Sequence, residues 1–524
     1  MHGKTPQERR KRAVTPQYIN PNQLTLSGFE TPFEQALSSQ NRWVKLAAVI
    51  PWNKIVHQYD KLFKSAEGRP PISGRIVIGA IIIKHMLVLT DRETVDQIRE
   101  NMFMQYFLGY SSFTNEEPFS PTLFVSIRER LTLEVMSEIN DAIIAHASSL
   151  QTGNEQKPSP VRVEKDDPDP PESSAPEADA TLNESSETEA AVELRPANQG
   201  KLLMDATVAP QYITFPTDLK VLNASLRKSE ELIDLLYDAA IHGPVKVRTY
   251  RRIAHKRFLN TAKKKQKTSK EIYKANGSQL RFLRRNLGHL KTLVDRYNEL
   301  DKALPLNPRE LEYLETIRKV YEQQHLMHTT RTHVVPERIV NIHQPHVRPK
   351  VRGKDGKKVE LGSKLQVSLI NGFTVINKLS WESFNEGHSL RMRVEEYRKR
   401  FGYYPAMVLA DKIYCNRENR RWLKELGITL HAKALGRPGK EALYNHVRPG
   451  ERNPIEGKFG QGKVGYGLDS IKAKLKTTSE SWITTITLVL NLVNLTRLAS
   501  HCFYRRILIE IKLLICPNYW SWSL

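Results

Sequence analysis

Cysteine is nearly missing from this chain: Cys415, Cys502 and Cys516 are the three in 524 residues, and none is paired at metal-ligand spacing. That argues against a disulfide framework and a structural zinc site, and favours a reduced, cytoplasmic setting. An apolar h-region is also lacking. The start, "MHGKTPQERRKRAVTPQ", is basic and reads as no signal peptide. One segment invites a membrane reading, "WITTITLVLNLVNL" (482–495), but it is shorter than the roughly 20 apolar residues of a span. Asn491 and Asn494 interrupt it, so a buried helix and no membrane partner are expected. Acid is scarce: 57 Asp and Glu stand against 80 Lys and Arg, a net charge of +23. Such a balance points to a polyanion, meaning nucleic acid or an anionic surface.

Much of the acid is concentrated in one place. Between Glu164 and Glu193 lie eleven acidic residues and one lysine, with almost nothing to bury. Residues 151–200 therefore read as a disordered, self-repelling linker. Around it the chain divides into a basic arm (1–24), a helical N-terminal domain (25–150), an α/β domain (201–500) and a C-terminal tail (501–524). Thr90 with Glu93 forms a capping box, and Ser120 followed by Pro121 reads as a second helix start.

The α/β domain begins with "KLLMDATVAPQYITFP", a strand whose apolar run ends in Asp205. A basic helical insertion follows, at about 221–340. From Lys246 to Lys291 it holds sixteen Lys and Arg and a single acid, Glu271. Leu280, Leu283, Leu287, Leu290, Val294 and Tyr297 form a packing seam there, and a helix opening at "NPRELEYL" is expected to fold back on it. Such a charge bias exceeds the patterning of a solvated face and suits a DNA backbone. Arg251, Arg252, Lys263, Lys264 and Lys265 are the candidate contacts.

Beyond it, Asn371-Gly372 marks a hairpin, and an apolar strand, "AMVLAD", ends in Asp411. Last comes "RNPIEGKFGQGK", in which helical spacing puts Arg452, Glu456 and Lys463 on one face. A surface ion-pair cluster explains that face as well as a site does, and each aspartate serves equally as a cap. Three carboxylates brought together would instead need cations, and two Mg²⁺ or Mn²⁺ ions suit in-line phosphoryl chemistry. "GKFGQGKV" is not a phosphate-binding loop, because Val464 stands where Ser or Thr is needed. His325, His328, His333, His343 and His346 span a loop rather than a zinc-ligand spacing.

Four segments in order, "LLMDATVAPQYITFPTDLKVLN", "QPHVRPKVRGKDGKKVELGSKLQVSLINGFTVINKLSWESFNEG", "YYPAMVLADKIYCNRENRRWLKELGI" and "ERNPIEGKFGQGKVGYGLDSIKAKL", resemble the DDE transposases of bacterial insertion sequences. The branch resembled carries its last carboxylate in a Y-R-E-K signature. The likeness covers most of residues 200–500, and residues 30–135 resemble the helical domain preceding that core. It implies an RNase H-like catalytic core with Asp205, Asp411 and Glu456 as catalytic metal ligands for two Mg²⁺ or Mn²⁺ ions. Arg452 and Lys463 fit the signature's R and K and would face a DNA phosphate, whereas Pro449 stands at the tyrosine position. The implied activity is cleavage of double-stranded DNA at terminal inverted repeats and joining of the ends to target DNA. A homodimer on DNA, in the bacterial cytoplasm at the nucleoid, is expected. The rivals are a metal nuclease without strand transfer and a catalytically inactive DNA-binding derivative.

Overall fold

The computed structural model describes residues 36–63, 71–152, 197–351, 359–432 and 450–502, and the backbone of 503–515. The basic arm, the acidic stretch Glu164–Glu193, Pro449 and the last nine residues lie outside the described residues.

Among the described residues, seven helices form the N-terminal part: α1 (Arg42–Val49), α2 (Trp52–Asp60), α3 (Gly74–Leu87), α4 (Asp91–Glu100), α5 (Met102–Leu108), α6 (Leu123–Arg130) and α7 (Leu133–Thr152). The Thr90–Glu93 capping box opens α4. Asn101 then breaks the helix and caps α5 through its side chain. Residues 120–122 form a turn, so α6 starts at Leu123 and not at Pro121. The apolar faces bury Trp43, Trp52, Ile82, Phe107, Phe124 and Ile143.

A single sheet organises the second half, from β1 (Lys201–Pro210) to β2 (Pro349–Val351), β3 (Val359–Ile370), β4 (Phe373–Ser380), β5 (Met407–Leu409) and β6 (Thr429–His431). β3 and β4 are a hairpin whose turn holds Asn371 at φ 50° and Gly372 at φ 82°, the left-handed pair that this dipeptide favours. β1 runs antiparallel to β3 and parallel to β5, and β5 runs parallel to β6. The order is therefore β4-β3-β1-β5-β6, with β2 pairing the start of β3. α13 (Leu390–Phe401) and α14 (Arg417–Glu425) connect the later strands, and α15 (Asn453–Gly460) and α16 (Lys476–Ile515) close the chain.

Between β1 and β2 stand α8 (Asp218–Leu236), α9 (Ala239–His242), α10 (Arg251–Ala262), α11 (Ser269–Glu299) and α12 (Pro308–Thr330). Their own core joins Leu222 and Ile233 of α8 to Leu283 and Leu290 of α11 and Ile317 and Val320 of α12. Residues of the anticipated seam, Leu280, Leu283, Leu290 and Tyr297, are buried there.

α16 is long and apolar enough to cross a membrane by length and composition, yet 67% of that window is buried within the protein. Leu488, Val489, Leu492 and Leu495 enter the core of the N-terminal helices, together with Phe373 of β4. A charged knot seals the same junction. Asp91 binds Lys84 at 2.9 Å and Arg128 at 2.8 Å, while the Lys84 ammonium sits 4.8 Å from the Trp482 ring. Lys84 is almost fully buried, so this pairing offsets its desolvation.

Candidate active site

Strand register brings the two aspartates together. Leu203 of β1 pairs with Leu409 of β5, and strand alternation keeps residues two positions on upon the same face. Asp205 and Asp411 each lie two positions beyond that pair. Asp205 sits within β1 rather than at its end, because β1 continues to Pro210 against β3. The parallel pairing with β5, however, stops at Leu203, so Asp205 faces the rim where β5 has finished. Asp411 caps the 3₁₀ turn Lys412–Tyr414, its Oδ1 accepting from the Lys412 amide at 2.8 Å.

α15 docks on this face through Ile455, with Phe459 partly buried beside it. Ile455, 1% exposed, packs with Leu203, Leu369 and Leu409. Arg452 immediately precedes the helix and reaches both aspartates, donating to Asp205 Oδ2 at 3.1 Å and Asp411 Oδ1 at 3.4 Å. Glu456 follows the buried Ile455 and is exposed to solvent. Lys463 lies in a π-helical turn, Gln461–Gly465, so the uniform helix assumed from sequence ends at Gly460. Among the described residues no group of three or more His, Cys, Asp or Glu gathers as a metal site. The structure thus brings Asp205, Asp411 and Arg452 together and leaves Glu456 exposed on the docked helix.

Burial pushes the Asp205 carboxyl up, partly offset by the Ala206 amide and Arg452. The charges of Asp411 and Glu386 push it further. Glu386 is a carboxylate that the sequence reading missed. It pairs with Lys364 at 2.6 Å and lies 3.5 Å from the Tyr414 hydroxyl, which in turn accepts from the buried Gln366 amide at 2.9 Å. Lys364 and Gln366 occupy β3, the neighbour of the Asp205 strand, in a period-two pattern that puts polar residues at buried positions. That pattern was the available signal. Ile455 was also missed, although it is the buried residue of α15.

The basic insertion is uneven. Arg251 forms a bidentate pair with Asp234 at 2.9 Å, joined by Lys246 at 2.7 Å. Lys264 is held by Glu271 at 2.5 Å, whereas Arg252, Lys263 and Lys265 are exposed. His343 and His346 serve packing: His343 meets the Tyr313 hydroxyl at 2.7 Å, and His346 stands edge-on to Trp381 at 4.3 Å.

Residues 408–493, which include Asp411, Arg452, Glu456 and Lys463, match the family described as "Transposase DDE domain". Residues 31–130 match "Transposase domain (DUF772)". Both matches are to transposase domains and support a reading of the chain as a DDE transposase. Over 154 residues the chain is also 29% identical to "Uncharacterized protein ORF8 in nfe locus" of Rhizobium meliloti, covering 29% of the chain and 73% of that relative. No solved structure matches the chain. The DDE-domain match starts after Asp205, so that residue rests on the strand register alone.

Proposed function

We propose that this protein is a DDE transposase that hydrolyses phosphodiesters at the ends of a mobile DNA element and joins the freed 3′-hydroxyls to target DNA. The observation that carries this reading is that Asp205 and Asp411, each two positions beyond the Leu203–Leu409 pair of adjacent parallel strands, are spanned by one guanidinium. The sheet order, three antiparallel strands followed by two parallel ones, supports an RNase H-like core.

The two carboxylates already share a cation, Arg452, and present hard oxygen donors, so the residues fit Mg²⁺ or Mn²⁺. Asp205 and Asp411 would hold the ions, with Glu456 completing the set from α15. Such ions would supply activation of the attacking oxygen and neutralisation of charge on the phosphate. Arg452 and Lys463 bind and orient the scissile phosphate. Buried Gln366 and Tyr414 fix the polar floor behind Asp205. Two copies on paired inverted repeats, acting in the cytoplasm at the nucleoid, complete the reading.

Incubation with DNA carrying candidate ends and Mg²⁺ tests it. Nicks at the ends followed by joined products are expected. Nicks without joining would favour the nuclease, and binding without nicks the inactive derivative. Glu456→Gln keeps size and removes charge; cleavage should collapse while DNA binding persists. Full cleavage by that variant would exclude Glu456 from the site.

A further inference from the structure

The segment after Lys463 runs along the end of β1 from Ser470 to Lys474 and gives way to α16 at Lys476. Ile471 bridges Gln211 in parallel, with the Tyr212 amide donating to Ile471 O and the Ile471 amide to Pro210 O, both at 2.9 Å. The Gln211 side chain adds a bond to Ala473 O. Extended chain alternates faces, and from Ile471 to Lys474 the alternation holds. Ile471 and Ala473 are buried in the sheet core, whereas Lys472, Lys474 and Lys476 are exposed. Two residues of extended chain advance about 7 Å, so Lys472 and Lys474 open a comb of that spacing, which Lys476 continues from the first residue of α16. Successive phosphates along one DNA strand are spaced similarly.

Two further observations extend the comb. None of its lysines forms a salt bridge among the described residues, unlike Arg251, Lys246 and Lys264 of the insertion. Beside it, Tyr212 and Phe215 are 71% and 64% exposed, although Ile213 between them packs against the cluster of Val340, Val347 and Trp381. Large rings held out on a pinned backbone are available to a partner. Other cations adjoin the comb: Lys476 and Arg348 both bear on His346, and Lys474 and Arg309 on His343.

We propose that Lys472, Lys474 and Lys476, flanked by Tyr212 and Phe215, form a rail that grips the backbone of duplex DNA independently of sequence. The proposal rests on DNA being the partner of the active site. From Asp205 to Tyr212 is about 23 Å of extended chain, the rise of roughly seven base pairs, so one duplex reaches both.

Binding of the full chain to three duplexes of unrelated sequence, measured by fluorescence anisotropy over a range of salt, tests it. Replacing all three lysines by serine should lower the slope of log affinity against log salt by about 2.5–3, equally on each duplex. Lys474→Gln alone, a minimal exposed change, should lower it by about 1. Tyr212→Ala with Phe215→Ala should weaken binding several-fold and leave the slope unchanged. Unchanged slopes in both lysine variants, a loss confined to one sequence, or aromatic variants of full affinity would overturn the rail. Failure of the unaltered protein to bind any duplex would instead remove DNA as the partner.

Discussion

Among single residues, Arg452 and Ile455 divide the labour of α15: one reaches the aspartates, the other fixes the distance. Arg452→Gln removes the cation contacting both carboxylates, whose mutual repulsion then favours an added one. Mn²⁺ should bind a few-fold more tightly by calorimetry, as expected for loss of a partly exposed ion pair, while DNA cleavage falls. Ile455→Ala should cost about 2–5 kcal/mol in local stability and lower cleavage without touching a ligand. Ile455→Leu should restore most of it, an outcome that a catalytic role for the side chain would not produce. Apolar runs ending in Asp205 and Asp411 made both legible as carboxylates at strand ends, although β1 continues past Asp205. Their meeting was not legible from local pattern, because it depends on the Leu203–Leu409 register across the whole insertion. The position of Arg452 was hidden for a similar reason. Helical spacing assumed one continuous helix, whereas Pro454 and the docking of Ile455 start α15 after Arg452 and the turn beyond Gly460 changes its pitch.

Elements were more legible than their boundaries. Caps and turns are local chemistry, so Thr90 with Glu93 and Asn371 with Gly372 hold as read. Gly372→Ala should cost about 1–3 kcal/mol, since it adds left-handed strain and a Cβ 3.0 Å from Asn494 of α16; thermal unfolding measures it. In α8, Glu230 is buried, and burial, the largest cause, raises its carboxyl to about 7. Its folded pKa exceeds the unfolded value. The stability it contributes is therefore fully present below about 4.5 and lost as pH rises through about 7. Glu230→Gln should flatten that dependence and stabilise the protein at pH 8 by on the order of 2 kcal/mol, with little effect at pH 4. A chemical denaturation series across pH checks both ends.

The whole molecule departs furthest from what a linear reading suggests. Composition divides the chain at residues 151–200, yet the core of the N-terminal helices is completed by α16 and Phe373 from the far side of that division. An amphipathic face announces that it will be buried; it does not name its partner. A protease site placed between residues 153 and 196 should therefore yield two pieces that co-elute in size-exclusion chromatography after cutting. Two separately eluting, folded pieces would show that the junction is too weak to hold them.

That junction also sets an order in time. The helices that emerge first from the ribosome end at Thr152, and the residues closing their core extend to Leu495. At about 5–20 residues per second, the wait is roughly 20–70 s. Throughout it the nascent helices show an unfinished apolar face, open to chaperones, while the nucleic acid nearest to hand is the message being read. A chain truncated before α16 should consequently be insoluble, although α1 to α7 are all present.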